Sequence, residues 1–165
     1  MIFEGLRDVY TSTLGRLALA IEHVGSTAVP GLAAKPIIDV DVVIPARAVL
    51  SEVIHRLAML GYRHQGDLGV PGREAFTRNG ADEVPRDGTG RRWPAHHLYI
   101  RASDGDELRR HLQFRDWLRT HPVSAAEYGR LKAHLAHIDR EDREGYTEAK
   151  TAFINAALTV AASHA

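Results

Sequence analysis

Residues 37–44 read Ile-Ile-Asp-Val-Asp-Val-Val-Ile, a β-branched run broken only by two aspartates and closed by Pro45. Branched side chains lose rotamer freedom in a helix and pack well on a pleated surface, so the run predicts a strand. Asp39 and Asp41 are two apart and therefore leave the same face of that strand. Their Cα atoms should lie about 6–7 Å apart. No other acid occurs between His23 and Ser51. Carboxylates set among valines and isoleucines lose several kcal/mol of solvation unless each finds a partner. One solution is a hard divalent cation, which relieves desolvation and mutual repulsion together. The other has Asp39 paired with an arginine and Asp41 at the solvated end of the strand.

The preceding segment bears on that choice. Ile21–Val24 is short, β-branched at both ends and stops at Gly25, which predicts a strand entering a tight turn. A glycine lets backbone approach a phosphate closely, and the following N–H groups and the Ser26 hydroxyl can donate to it. Thr27 adds a hydroxyl, and Lys35 offers a point charge in the same loop. Taken singly, these read as an ordinary turn with a capping serine and a solvated lysine. Taken together, strand, Gly-Ser, loop and D-x-D strand describe an arrangement that holds a triphosphate and a metal.

The rest of the chain predicts an α+β domain. Leu6, Val9, Tyr10, Leu14 and Leu17 give residues 3–19 a helical period, and residues 46–60 repeat it up to Gly61. Tyr62–Gln65 and Glu74–Arg78 are candidate strands, 79–95 reads as a long exposed loop, and His97–Ala102 is the next strand. Asp104 is placed to cap a helix over 106–120. Ser124 and Glu127 form an S-x-x-E box for a helix reaching about His137, and a last helix covers 146–162. A length of 165 residues suits one domain over 1–165. The 21 basic and 21 acidic residues cancel, and no aromatic-basic stripe occurs, so no nucleic-acid partner is expected. Cysteine is absent, which excludes a thiol nucleophile, Cys-ligated zinc and disulfides. Glu4, Arg7 and Asp8 argue against a signal peptide. The most apolar stretch, Phe153–Ala162, is too short to span a bilayer, so a cytoplasmic protein without a membrane partner is expected. No P-loop, dinucleotide-binding or G-x-S-x-G pattern occurs.

The segment from His23 to Asp41, His-Val-Gly-Ser-Thr-Ala-Val-Pro-Gly-Leu-Ala-Ala-Lys-Pro-Ile-Ile-Asp-Val-Asp, resembles the signature of the GrpB family. His96-His97-Leu98-Tyr99, Phe114-Arg115-Asp116-Trp117-Leu118-Arg119 and Tyr146-Thr147-Glu148-Ala149-Lys150 are similar to that family too, so the likeness runs over about 20–160. The family resembles the nucleotidyltransferase superfamily. That resemblance implies a small mixed β-sheet with helices on one face and a C-terminal helical layer. It further implies metal-dependent transfer of a nucleotidyl group from a nucleoside triphosphate, ATP being the expected one, to a small acceptor. Asp39 and Asp41 would hold Mg²⁺ or Mn²⁺, and Gly25, Ser26, Thr27 and Lys35 the phosphates. A GrpB-like domain is fused to dephospho-coenzyme A kinase in some bacteria, which implies nucleotide-related work.

One departure matters. The superfamily usually adds a third carboxylate from a later strand, and His97–Ala102 has none. His97 and Tyr99 share the face where it is expected, and His97 can act as a general base or bind a transition metal. Glu74 is a fallback for the missing acid. The alternative is a catalytically inactive module that binds a nucleotide or phosphorylated ligand. Arg73 and Arg78 can clamp a phosphate or an acidic acceptor. Arg115 and Arg119 share a helix face and serve either a ligand or ion pairs, as does Lys150. Arg86, Arg91 and Arg92 fall in a loop able to close over a ligand, and His134 and His137 read as surface residues. Oligomeric state is left open by the sequence.

Overall fold

The β-branched runs all enter one five-stranded sheet, and the helices flank it on both faces. The computed structural model describes residues 1–138 and 143–163, without the side chains of 136–138, 143–147 and 163. In chain order the elements are α1 (Ile2–Leu14), β1 (Ala20–Val24), β2 (Ile38–Ile44), α2 (Leu50–Met59), β3 (Arg63–Gly66), β4 (Arg73–Thr77) and β5 (His96–Ala102). Three helices follow: α3 (Asp106–Thr120), α4 (Pro122–Ile138) and α5 (Arg143–Ser163). The sheet order is β1-β2-β5-β4-β3, antiparallel throughout except for the central parallel pair β2 and β5. This is the mixed-sheet α+β architecture that the sequence predicts.

Alternation along β2 explains the layering. Val40, Val42 and Ile44 face α1 and α2 and are sealed in the main core with Leu98, Ile100 and Phe76. From α1 the stripe Leu6, Tyr10 and Leu14 is wholly buried in the same core. Each such side chain contributes roughly 1.5–3 kcal/mol. The polar groups admitted here are satisfied, Glu74 by Arg47 and His64 and the others by a neutral chain. Tyr10 and Tyr62 hydroxyls meet at 2.6 Å, Tyr62 bonds His96 Nε2, and His96 Nδ1 bonds the Pro94 carbonyl at 2.8 Å. Burial pushes His96 down to about 4, so it stays uncharged. On the opposite face a second cluster of Val29, Leu32, Leu118, Ala125 and Tyr128 joins the Gly-Ser loop to α3–α5.

Several boundaries and roles differ from expectation. The first helix stops at Leu14 and tightens into a 3₁₀ turn over Gly15–Leu17. Gly105, not Asp104, is the N-cap of α3, and Asp106 and Glu107 supply the first-turn acids that suit its dipole. Ser124 lies inside α4, because Pro122 begins that helix, where its missing N–H costs nothing. The 79–95 segment is a mostly exposed loop, as expected, but it is pinned to the core. Val84 and Trp93 are 1% and 2% exposed, and Trp93 Nε1 donates to the Pro85 carbonyl. Two apolar anchors thus fix a segment whose charges face water. No helix among the described residues is long and apolar enough to cross a membrane.

Candidate functional site

The face of β2 turned toward α3 carries Asp39 and Asp41, and the parallel neighbour β5 sets His97, Tyr99 and Arg101 beside them. In register Asp39 is opposite His97, Asp41 opposite Tyr99 and Val43 opposite Arg101. The His97 Nδ1–Asp39 Oδ1 distance is 2.8 Å, and that hydrogen bond raises the His97 pKa. Arg101 Nε donates to Asp41 Oδ2 at 2.7 Å, with both side chains sealed from solvent. The two acids therefore have reversed roles from the arginine alternative. Asp41 is the buried, arginine-paired one, whereas Asp39 is half-buried beside a histidine.

Gly25 sits at φ 73°, in the left-handed region, and a Cβ there would collide with the Asp39 carboxylate. Glycine is required twice at that point, once for its backbone and once for space. Ser26 opens a 3₁₀ turn, and its Oγ accepts a hydrogen bond from Lys132 Nζ on α4. Lys132 also donates to the Ala33 carbonyl at 3.2 Å, and burial, then the charge of Lys150, lowers its pKa. Thr27 is spent inside the turn, where it donates to the Ile37 carbonyl at 3.2 Å and meets His23 Nε2 at 3.0 Å. It ties the turn to β2 instead of presenting a hydroxyl to a ligand.

A cleft of about 330 Å³ lies between this face and the helical layer. Among its walls are Gly25, Ser26, Asp39, Asp41, Arg73, Tyr99, Arg101, His111, Arg115 and Lys150, with Val24, Phe114, Leu118, Tyr128 and Ile154 as apolar cover. Arg73 stacks over Tyr99 at 4.9 Å from the ring centre. Arg115 joins α3 to β1, bonding Glu22 at 2.6 Å, the His23 carbonyl at 3.1 Å and Asp116 at 2.7 Å. Arg119 donates to the Ala28 carbonyl at 2.8 Å and lies 3.7 Å from Asp116, so it ties α3 to the Gly-Ser turn.

Other expected participants lie elsewhere. Lys35 is exposed and does not line the cleft. His97 stands at its edge, bonded to Asp39 but outside the wall. Glu74 points to the other face, where it pairs with Arg47 at 2.8 Å and His64 at 2.7 Å, so it cannot replace a third acid. Arg78 holds the Trp93 and Pro94 carbonyls. Arg91 stacks on Trp93, Arg92 pairs with Asp82 and Arg86 with Glu83; none lines the cleft as a lid. His134 is exposed, while the side chains of His137, Tyr146 and Thr147 lie outside the described residues. The sequence reading missed Lys132, Arg101 and His111. Arg101 had a signal: it lies two beyond Tyr99 on the face already assigned to His97 and Tyr99.

Whether a divalent cation suits these residues turns on Arg101. Its guanidinium already compensates Asp41, and an ion bridging both carboxylates would set like charge against it in a buried setting. Among the described residues no group of three or more His, Asp and Glu side chains gathers to hold a metal. The donor set does not fit a two-carboxylate cation centre.

A Gly-Ser turn feeding a D-x-D strand of a small mixed sheet, closed by a helical layer, defines a nucleotidyltransferase-like fold. The chain belongs to the GrpB family, whose model, described as "GrpB protein", matches residues 2–159. A crystal structure of the conserved protein GrpB from Enterococcus faecalis is similar, with a TM-score of 0.74 and 34% identity over 96% of this chain and 89% of that one. UPF0157 protein PA4798 of Pseudomonas aeruginosa is 37% identical over 90% of this chain and 57% of its own length. A dephospho-CoA kinase of Mycobacterium leprae is 25% identical over 84% of this chain and 38% of its own length. The chain spans about half the length of the first curated relatives it matches.

Proposed function

We propose that this chain binds a phosphorylated small molecule of nucleotide or coenzyme A type in the cleft, as a binding module and not as a two-metal transferase. The observation that carries this reading is the charge of the cleft wall. Arg101 is paired with Asp41, and Arg115 with Glu22 and Asp116, but Arg73 bonds the Asp67 carbonyl and stacks on Tyr99, so its charge on the wall is cancelled by no described carboxylate. Ser26, held by Lys132, places a hydroxyl and an ammonium beside the Gly25 turn, a pairing suited to phosphate oxygens. The apolar side of the cleft, from Val24 to Ile154, suits the organic part of such a ligand. Similarity to a dephospho-CoA kinase supports the choice of ligand class.

The experiment is calorimetric titration of ATP, the other triphosphates and dephospho-coenzyme A, with Mg²⁺ and with chelator, on wild type and Lys132→Ala. Binding that persists in chelator and weakens at least about tenfold in the variant is expected, since a charge-assisted contact is worth about 1.5–3 kcal/mol. Binding that needs Mg²⁺ and is followed by pyrophosphate release would overturn this reading in favour of nucleotidyl transfer.

A further inference from the structure

Four buried side-chain atoms among the described residues have no hydrogen-bond partner, and three of them belong to residues lining the cleft: Asp41 Oδ1, Arg73 Nε and Arg101 Nη1. The fourth, Trp117 Nε1, belongs to a residue outside the cleft wall. Arg73 and Arg101 are direct partners across the β4–β5 ladder, so their stems leave the same face side by side. Asp41 is tied to Arg101 through its other oxygen. The floor of the cleft thus offers two donors and one acceptor, with one net positive charge from two guanidiniums and one carboxylate. Buried polar groups in folded proteins are almost always paired, so three unpaired ones together point to an absent partner of matching pattern.

We infer that the floor takes an oxyanion that brings its own O–H group, hydrogen phosphate being the simplest, and discriminates against oxyanions without one. This rests on the phospho-ligand reading above. The two guanidiniums accept any oxyanion, but Asp41 Oδ1 has only lone pairs and must be met by a donor. Sulfate would turn an oxygen lone pair toward that carboxylate in a low-dielectric setting. Hydrogen phosphate turns its remaining P–OH there instead. A hydroxyl next to the phosphate of a sugar or glycerol ester supplies the same donor from another part of the ligand. The His111 ring, 44% exposed, lies 3.6 Å from Asp41 Oδ2 and 3.4 Å from Arg101 Nη2, and walls this floor on the α3 side.

Four probes at pH 8 test this by calorimetry on the full chain: phosphate, sulfate, methyl phosphate and glycerol 3-phosphate. At that pH both esters are dianions without a P–OH, because the second pKa of a phosphomonoester is near 6. Phosphate is expected to bind at least about tenfold more tightly than sulfate or methyl phosphate, the scale of a hydrogen bond to a charged group. Glycerol 3-phosphate exceeding methyl phosphate assigns the donor to a neighbouring hydroxyl as well; equality of the two assigns it to phosphate alone. Equal affinity for phosphate and sulfate overturns the inference. In Asp41→Asn the amide can turn its NH₂ to the anion, so the phosphate-to-sulfate ratio should fall to about one. Should that variant not fold, Arg73→Gln is expected to weaken phosphate and sulfate alike, and unchanged phosphate affinity overturns the proposal. If no probe binds while a nucleotide does, the floor assignment fails and the phospho-ligand reading stands; if neither binds, both fail.

Discussion

The two faces of the sheet handle buried polarity in opposite ways. Under α1 and α2, polar groups are all matched: Tyr10, Tyr62, His96 and the Pro94 carbonyl form a neutral chain in which every link has a partner, and Glu74 is met on its two oxygens by Arg47 and His64. Under α3–α5 the polar groups are charged, and some of their atoms go unmatched, as at Asp41 Oδ1 and Arg101 Nη1. The first arrangement is finished by folding alone. The second is left incomplete by folding, and that difference is what distinguishes a core from a site on one and the same strand pair.

The most disruptive way to probe the contrast is Arg101→Met. It leaves Asp41 as an uncompensated charge at 0% exposure, and about 3–5 kcal/mol of stability should be lost in urea unfolding. The double variant Arg101→Met/Asp41→Leu should recover most of that loss, because the pair itself contributes little net stability. If the single variant is as stable as wild type, the charged face is not buried as described.

The neutral chain responds to acid. His96 is held down to about 4 in the fold, against about 6.5 in an unfolded chain, so the unfolded state binds more protons between those values. Stability is full above pH 6.5 and falls as the pH drops toward 4, by up to about 3 kcal/mol. Urea midpoints followed from pH 7 to pH 4 should show this slope in wild type and a flatter one in His96→Gln. Removing one link chemically is milder. Tyr62→Phe strands Tyr10 and His96 and should cost about 1–3 kcal/mol, read as a lower midpoint at neutral pH.

The smallest effects lie at the cleft edge. His97 titrates above its ordinary value because Asp39 accepts a hydrogen bond from its ring N–H and so favours the charged ring. Its contribution is present below pH 6.5 and is lost as the pH rises through the higher folded value. With the ring 54% exposed, less than about 1 kcal/mol is expected after screening. An NMR titration of His97 should show the raised midpoint and its loss in Asp39→Asn. Lys35→Ala should change neither stability nor ligand affinity by more than about 0.5 kcal/mol, in contrast to Lys132→Ala.

Most of the fold was legible because it is written in local patterns. The run 37–44 became β2, the apolar stripe of the first helix became the core face of α1, and the Gly25-Ser26 turn stands where the break after Val24 placed it. Loop 79–95 was legible as a loop, but its anchors Val84 and Trp93 were not, because they are outnumbered by charges and burial depends on where a residue packs more than on its neighbours in sequence. The site was legible in outline and not in its pairing. That Asp39 and Asp41 share a face follows from strand periodicity. Which of them takes a histidine and which an arginine depends on the parallel docking of β5, which no local pattern encodes. Lys132 left no signal at all, since its place beside Ser26 is set by how α4 packs.

The parallel pairing of β2 and β5 also fixes when the site can exist. Asp39 meets His97 across 58 positions, Asp41 meets Arg101 across 60, Glu22 meets Arg115 across 93, and Ser26 meets Lys132 across 106. Contacts so distant close large loops and form late. On a ribosome, the turn and both acids emerge long before the groups that neutralise them. The carboxylates and the Gly-Ser turn therefore wait in water until α3–α5 have emerged, and the cleft is born only when those helices dock.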